Sequence, residues 1–145
     1  MIKTSWAFYV TLRIQNFKHM KLNILVVDDS AVMRKMIIKT LTMCGIGIEN
    51  LLEASNGKEG LALLDQHWID LLLVDINMPV MDGMEMLNHV RSNPETRDIP
   101  VLIVSTESNE QRIASFYKLG ASFVHKPFTP EDIKHEISRM TGIVS

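Results

Sequence analysis

Unbroken apolar runs alternate with segments of helical periodicity along most of the chain. Three of these runs contain no polar position, at 24–27, 71–74 and 101–104. Apolar runs without alternation are typical of strands buried on both faces, as in a parallel sheet that lies between helical layers. Two weaker strands are predicted over 48–54 and 121–125.

Five helices are predicted between and after these strands, over 30–44, 58–67, 83–92, 109–119 and 130–140. Signals at their ends support them, because Ser30 can cap the first helix, Gly45 can close it and Pro130 suits the first turn of the last. Strand and helix alternating in this way predict right-handed crossovers. The expected fold is a flavodoxin-like α/β fold: a doubly wound, five-stranded parallel sheet of order 2-1-3-4-5 with five helices on its two faces.

The first twenty residues have a different pattern. Every second residue is large and apolar, a period that fits an amphipathic strand, at Trp6, Phe8, Val10, Leu12 and Ile14. The segment makes a poor signal peptide because a single basic residue, Lys3, precedes a short apolar stretch that Thr4 and Thr11 interrupt, and no convincing cleavage site follows. We therefore predict an N-terminal extension outside the core fold over 1–20 and the folded domain over 21–145. A strand added to a sheet edge or to a second subunit is the alternative.

Composition narrows the class of protein. The length of 145 residues suits one domain, and a content of 46% apolar and 22% charged residues is that of a globular chain. A formal charge of −2 gives no basic surface for nucleic acid. The lone Cys44 excludes an internal disulfide. No apolar run approaches the roughly 20 residues of a membrane span, so we expect no membrane insertion and a cytoplasmic location.

Polar side chains follow the predicted strands at the points where the apolar runs stop. Asp28 and Asp29 follow the first strand, Asp75 the third, Ser105 the fourth and Lys126 the fifth. The carboxyl ends of parallel strands share one edge of the sheet, where ligands bind at the point at which the strand order reverses. We therefore expect the three aspartates to crowd into a single crevice.

Three carboxylates in one crevice need a counter-ion, because like charges raise one another's pKa and repel. A hard divalent cation meets this need, and an open site of oxygen ligands suits Mg²⁺, held mainly by Asp29 and Asp75. On the central strand, Asp75 can act as a nucleophile toward phosphorus and form an acyl phosphate. Lys126 supplies a positive charge and Ser105 a hydroxyl donor for the transferred group.

Four motifs occur in order along the chain: Val-Val-Asp-Asp-Ser at 26–30, Asp-Ile-Asn-Met-Pro-Val-Met-Asp-Gly at 75–83, Val-Ser-Thr-Glu at 104–107 and Lys-Pro-Phe at 126–128. With this set the sequence closely resembles the receiver domain of two-component response regulators, from residue 22 to about 141. The stretch around Asp75 is most similar to single-domain regulators of the chemotaxis, CheY-like type. That type fits a chain that ends at Ser145 without an output domain.

The resemblance implies a role for each acidic residue. Asp75 is the expected phosphoacceptor, loaded from a phosphohistidine of a sensor histidine kinase or a phosphotransfer protein. Asp29, Asp75 and the backbone carbonyl of Asn77 are the expected ligands of Mg²⁺, with Asp28 contributing through water.

The resemblance also implies how the signal leaves the site. Lys126 takes the invariant basic position, and Ser105 and Phe123 take the two switch positions. Asn77 and Glu107 correspond to positions that tune hydrolysis of the acyl phosphate. The chemotaxis type has tyrosine where this chain has Phe123, which offers no hydroxyl to a partner. An unidentified downstream protein is expected on the face formed by helix 4, strand 5 and helix 5.

The expected function is therefore a signalling module that is not an enzyme. It accepts a phosphoryl group on Asp75 and changes its protein contacts, with chemotaxis as the plausible pathway. Magnesium-dependent self-phosphorylation from small phosphodonors and self-dephosphorylation are expected. One alternative is a phosphorelay intermediate that passes the group to another histidine. The other is a phosphatase of the haloacid-dehalogenase type, which is disfavoured because that class has Asp-x-Asp after its first strand and the acids here are adjacent.

Overall fold

Five parallel strands form the sheet that the apolar runs predict. The computed structural model describes residues 21–142 and contains β1 (Leu22–Val27), β2 (Ile48–Ala54), β3 (Leu71–Val74), β4 (Val101–Ser105) and β5 (Ser122–His125). Their order is β2-β1-β3-β4-β5, and every neighbouring pair is parallel. The fold class and strand order expected from the sequence are thus confirmed. The extension predicted over 1–20 lies outside the described residues.

Five helices connect and follow the strands, in the places where helical periodicity predicts them. They are α1 (Ala31–Met43), α2 (Gly57–Gln66), α3 (Gly83–Ser92), α4 (Glu110–Lys118) and α5 (Pro130–Thr141). Capping side chains define their beginnings. Ser30 accepts a hydrogen bond from the backbone N–H of Met33 at 3.1 Å, as its position before α1 predicts. Thr129 and Asp132 form a reciprocal capping box at the start of α5, where Pro130 occupies the first turn.

Two hydrophobic clusters cover the two faces of the sheet. Consecutive strand residues point to opposite faces, so Ile24 of β1 packs with buried residues of α1 and α5, including Ile37 and Ile133. Leu25 packs on the other side with residues of α2, α3 and α4, including Phe116. The central strands β1, β3 and β4 are buried on both faces because both layers are apolar, which explains why their apolar runs do not alternate with polar residues.

The strand register sets the functional edge of the sheet. The last residues of β1 and β3, Val27 and Val74, are partners in the parallel pairing. In the β4–β5 pair, Ser105 of β4 is level with His125 of β5. The polar residues after these strands therefore meet at the carboxyl edge, beside the β1–β3 position where the strand order reverses.

Candidate functional site

Three aspartate side chains converge at the carboxyl ends of β1 and β3. The register puts Asp28 and Asp75 directly after the paired ends of the two strands. One carboxylate oxygen from each of Asp28, Asp29 and Asp75 lies within 4.8 Å of the others. Asp28 is buried, Asp75 is half-buried and Asp29 is exposed. The cluster is therefore closed on the sheet side and open to solvent on the other.

Every polar atom of Asp28, in the side chain and in the backbone, takes part in a hydrogen bond. Its Oδ1 accepts a hydrogen bond from the backbone N–H of Ser30 at 2.9 Å, and its Oδ2 accepts one from Nζ of Lys126 at 2.9 Å. Its backbone N–H donates to the carbonyl oxygen of Ala54 at 3.1 Å. Its own carbonyl oxygen accepts from Nη1 of Arg34 at 2.6 Å. Asp28 thus anchors the cluster to β2 and α1 and to the chain that follows β5.

Lys126 places one positive charge between two of the carboxylates. Its Nζ lies 2.9 Å from Oδ2 of Asp28 and 3.4 Å from Oδ2 of Asp75, and its side chain is only 12% exposed. Its backbone N–H donates to the carbonyl oxygen of Ser105 at 2.9 Å, which continues the β4–β5 pairing. The Lys126–Pro127 peptide bond is cis. The ammonium can therefore contact an anionic group bound at Asp75 without leaving Asp28.

The Asp75 carboxyl has its two oxygens in different environments. Oδ1 accepts a hydrogen bond from the backbone N–H of Ile76 at 2.8 Å, while Oδ2 faces Lys126. Burial raises the pKa of Asp75 above its usual range, the charge of Lys126 opposes the rise, and the neighbouring Asp28 adds to it. The Asp75 carboxylate is therefore an unfavourable anion that another cation or a covalent partner would relieve.

Asp29 lies at the exposed side of the cluster, and Asn77 follows Asp75 by two residues in the chain. Both are exposed, and neither side chain has a hydrogen bond or ion pair with any other residue in 21–142. Oxygen donors of this kind, beside the half-buried Asp75, match the preference of Mg²⁺ for a few carboxylates and retained water. The donor set therefore fits a hard divalent cation.

Ser105 and Glu107 are coupled at the end of β4. Ser105 is completely buried, and its Oγ accepts a hydrogen bond from the backbone N–H of Glu107 at 3.1 Å. The Glu107 carboxylate accepts from the backbone N–H groups of Ser108 and Asn109 and pairs with Arg112 at 2.8 Å. Hydrogen bonds to the carboxylate, of which the one from the backbone N–H of Asn109 has the largest effect, lower the pKa of Glu107. The side chain of Glu107 therefore faces the beginning of α4.

Phe123 lies on β5, where it is level with Ile103, two residues before Ser105 on β4. Its side chain is 8% exposed, and its ring centroid lies 4.7 Å from that of His125 in a tilted arrangement. An open cavity of about 310 Å³ beside it is lined by residues of β5 and α5, including His135 and Glu136. The aromatic side chain is therefore packed inward but borders a surface that a protein partner could reach.

Two residues that contribute to the site had no role in the sequence prediction. A Cβ on Gly83 would lie 2.3 Å from the carbonyl oxygen of Asp75, so only glycine fits there. This residue closes the motif that begins at Asp75, which was the available signal. Arg34 contacts the backbone of Asp28, and no motif or spacing indicates that contact because its partner is a main-chain oxygen.

Comparison with known families identifies the kind of site. The model of the response regulator receiver domain family matches residues 24–138. The chain belongs to this family. The receiver domain is a signalling module, and the family match covers all of the residues of the acidic cluster, Ser105 and Lys126.

Individual relatives of this receiver domain are chemotaxis proteins. A chemotaxis protein CheY homolog of Campylobacter jejuni is 36% identical over 123 residues, which cover 83% of this chain and 93% of that protein. Chemotaxis protein CheY1 of Helicobacter pylori is 35% identical, over 83% of this chain and 98% of its own length. Among solved structures, the chemotaxis response regulator CheY4 of Vibrio cholerae is 32% identical, with a TM-score of 0.73 over 83% of this chain and 99% of that one. The receiver domain thus resembles whole CheY proteins in both sequence and fold.

Within residues 21–142, no helix has both the length and the apolar character needed to cross a bilayer.

Proposed function

We propose that this receiver domain accepts a phosphoryl group on Asp75 from a phosphohistidine and thereby changes its protein contacts. The observation that carries the proposal is the position of Lys126, whose ammonium lies between Asp28 and Asp75 at 2.9 and 3.4 Å. A carboxylate nucleophile beside a fixed cation is suited to an incoming phosphoryl group, whose charge the cation stabilises. The donor is a sensor histidine kinase or a phosphotransfer protein.

Mg²⁺ is the cation that we propose for the acidic cluster. Asp29, Asp75 and the carbonyl of Asn77 would hold it, with Asp28 contributing through water. When bound, Mg²⁺ neutralises phosphoryl oxygens and the repulsion among the carboxylates. Asp28 already accepts two hydrogen bonds at its carboxylate, which supports an indirect role for it.

The chemical step is a transfer between two nucleophiles. An oxygen of Asp75 forms a bond to phosphorus while the bond between phosphorus and the donor imidazole nitrogen breaks. The electron pair of that bond goes to the nitrogen, which takes up a proton from solvent. Lys126 and the hydroxyl of Ser105 interact with the transferred group. Later hydrolysis of the acyl phosphate restores the carboxylate, and we propose that Asn77 and Glu107 tune its rate.

The output step depends on Ser105 and Phe123. Phosphorylation replaces the single charge of the Asp75 carboxylate with a phosphoryl group that carries roughly 1.5 to 2 negative charges on three acceptor oxygens, so the Ser105 hydroxyl is drawn toward it. That movement opens space which the neighbouring aromatic side chain can enter. The face formed by α4, β5 and α5 then changes shape and meets the downstream protein. This is a two-state switch whose equilibrium the phosphoryl group biases.

Chemotaxis is the pathway we propose, because the relatives described above are chemotaxis proteins of similar length. The change from tyrosine to Phe123 favours a second candidate, a phosphorelay intermediate that passes the group to another histidine. The two differ in the fate of the phosphoryl group. Rapid transfer from labelled protein to a histidine phosphotransfer domain would favour the relay, and loss to water alone would favour the chemotaxis regulator. In either case we expect a cytoplasmic protein.

The central test is acceptance of a phosphoryl group from acetyl phosphate, followed by intact mass. We expect a labile gain of one phosphoryl group in the wild-type protein with Mg²⁺, and none with EDTA or in Asp75→Asn. Asp82→Asn is the matched control, since Asp82 lies in the same loop and caps α3, a role that asparagine fills equally well. Label on Asp75→Asn, or continuous turnover of phosphomonoesters by the wild type, would contradict the proposal.

A further inference from the structure

Arg34 lies one turn into α1 with its guanidinium turned toward the end of β1. The side chain is only 16% exposed. Its Nη1 donates to the carbonyl oxygen of Asp28 at 2.6 Å, and its Nε donates to Oε1 of Glu53 on β2 at 2.9 Å. One planar group therefore joins the helix, the edge strand and the main chain of the acidic cluster.

The contact with Asp28 fixes the peptide plane that leads to Asp29. The carbonyl of one residue and the N–H and Cα of the next belong to the same rigid unit, so holding the oxygen also fixes where the Cα of Asp29 lies. This matters because the Asp29 carboxylate is exposed and has no hydrogen bond or ion pair with the other described residues. No side-chain contact in the described residues holds this carboxylate near Asp75, so its reach toward Asp75 depends on where its backbone lies.

Glu53 fixes the guanidinium in turn. Its carboxylate is 44% exposed and pairs with Nε, which leaves Nη1 aimed at the Asp28 carbonyl. Because the Glu53 carboxylate balances the charge of Arg34, the contribution of Arg34 to the cluster is geometric more than electrostatic. A lysine would keep the charge but replace the planar group, which donates in two fixed directions, with a flexible point donor.

We propose that Arg34 is a positioning residue for the cation site: it holds the Asp28–Asp29 peptide so that the Asp29 carboxylate faces Asp75, and Glu53 orients Arg34. The inference rests on the proposed function, because it assigns Arg34 to the Mg²⁺ affinity of that same site. Hydrogen-bonding partners behind metal ligands typically change affinity by about 10- to 100-fold. Arg34 contacts the main chain next to Asp29 and not the Asp29 carboxylate itself. We therefore expect its substitution to lower the Mg²⁺ affinity by about tenfold, at the lower end of this range.

The experiment is a Mg²⁺ titration of the full chain by isothermal titration calorimetry, with wild type, Arg34→Lys and Glu53→Gln. We expect the dissociation constant for Mg²⁺ to rise about tenfold in Arg34→Lys and less in Glu53→Gln. Arg139→Lys is the matched control. It also has a helical arginine paired with a glutamate and bonded to a second element, here Glu136 and Ser122, and its affinity for Mg²⁺ should equal that of wild type.

Two further readouts separate positioning from a general structural role. Urea unfolding in EDTA reports whether Arg34→Lys is folded, and the dissociation constant is compared only among folded variants. In acetyl phosphate reactions, the Mg²⁺ concentration for half-maximal rate should rise in Arg34→Lys, whereas the rate at saturating Mg²⁺ should stay within about twofold of wild type. The rate at saturating Mg²⁺ should be preserved because the substitution leaves Asp75 and Lys126 unchanged.

The outcomes distinguish the two proposals. If wild type binds Mg²⁺ and Arg34→Lys binds it equally well, Arg34 is not a positioning residue and the proposed function is unaffected. If Arg34→Lys lowers only the plateau rate, Arg34 acts on the phosphoryl step and the inference is wrong. If wild type itself does not bind Mg²⁺, the proposed cation site fails, and the inference fails with it.

Discussion

The backbone N–H of Glu107 donates a hydrogen bond to Oγ of Ser105, with 3.1 Å between the two atoms. The hydroxyl is thereby held at the end of β4, in a side chain with no exposed surface. The Glu107 carboxylate is itself tied to Arg112 and to the backbone of the loop. In the proposed switch, movement of Ser105 toward a phosphoryl group would break this hydrogen bond and release the loop between β4 and α4, which would link the site to the proposed output face.

Ser105→Ala should separate phosphorylation from output. The variant keeps Asp75 and Lys126, so we expect it to gain a phosphoryl group from acetyl phosphate. A hydrogen bond to a charged group contributes about 1.5 to 3 kcal/mol, so its loss should lower the switching equilibrium constant about 10- to 100-fold. The measurement is the change in NMR resonances of Phe123 and the α4–β5–α5 face when beryllofluoride is added.

Ser108→Ala is the control for this prediction, because Ser108 lies in the same loop but is exposed. In Ser108→Ala, the resonances of Phe123 and of the α4–β5–α5 face should respond to beryllofluoride as they do in wild type. A full response of the output face in Ser105→Ala would show that the hydroxyl does not couple the site to that face.

The sequence was most informative where apolar burial decides the structure. Strands such as β3 are buried on both sides, so their pattern fixes both the layers and the edge at which Asp28 and Asp75 meet. Contacts with main-chain atoms, other than helix caps such as Ser30, leave no such pattern. The bond from Arg34 to the Asp28 carbonyl and the direction of the Glu107 carboxylate depend on local backbone orientation, which residue type and spacing do not report. The roles assigned to these side chains stay predictions until the experiments above are done.

Val80 illustrates a local rule that the sequence breaks. It has a φ of +68°, although it is β-branched, and its side chain is 76% exposed. The backbone N–H of Met81 donates to the carbonyl oxygen of Pro79 at 2.7 Å, which closes a tight three-residue turn around it. A residue of this type in the left-handed region is strained by roughly 1 to 2 kcal/mol. Turn chemistry would favour glycine or asparagine at this position.

Val80→Gly should therefore stabilise the receiver domain. Relief of the strain outweighs the greater freedom of glycine in the unfolded chain, which leaves a gain of about 0.5 to 1 kcal/mol in the free energy of unfolding. Urea denaturation measures it. Val32→Gly is the matched control, since Val32 is 70% exposed in a regular helix, and there the same change should destabilise by several tenths of a kcal/mol. A loss of stability in Val80→Gly would mean that the turn is not strained.

Gly83→Ala should damage both the fold and the acceptor. The added Cβ would lie 2.3 Å from the carbonyl oxygen of Asp75 and 2.9 Å from Cα of Ile76, and backbone atoms cannot move aside as a flexible side chain can. We expect a loss of about 2 to 4 kcal/mol in the free energy of unfolding, together with slower phosphorylation from acetyl phosphate.

The control for this substitution is Gly45→Ala. Gly45 has a φ of +73° but no neighbouring atom within 4 Å of an added Cβ. Only the backbone penalty of roughly 1 to 2 kcal/mol is expected there, with an unchanged rate of phosphorylation. Equal effects of the two substitutions on phosphorylation would argue that the close approach of Gly83 to the acceptor is unimportant.

Asp75→Asn should stabilise the cation-free protein at neutral pH and lose this advantage in acid. Because the pKa of Asp75 is raised in the folded state, the folded protein binds this proton more tightly than the unfolded chain does. The stability that the protonated carboxyl contributes is complete below its ordinary pKa of 3.8 and is lost as the pH rises through the folded-state value. Burial of the carboxylate is the main cause of the raised pKa, the charge of Lys126 opposes it, and repulsion from Asp28 adds to it. We therefore expect a gain of about 1 to 2 kcal/mol at pH 7 from replacing this carboxylate with a neutral amide.

Urea unfolding in EDTA, with wild type and Asp75→Asn compared between about pH 3 and pH 7, measures this difference. The difference in the free energy of unfolding between Asp75→Asn and wild type should increase as the pH rises above the ordinary pKa of an aspartate. Asp65→Asn removes an exposed carboxylate from α2 and should stay within about 0.5 kcal/mol of wild type throughout. A difference for Asp75→Asn that is flat across this range would mean that Asp75 titrates normally. The acceptor would then not be destabilised as an anion, and relief of repulsion could not be what favours a cation or a phosphoryl group at this edge of the sheet.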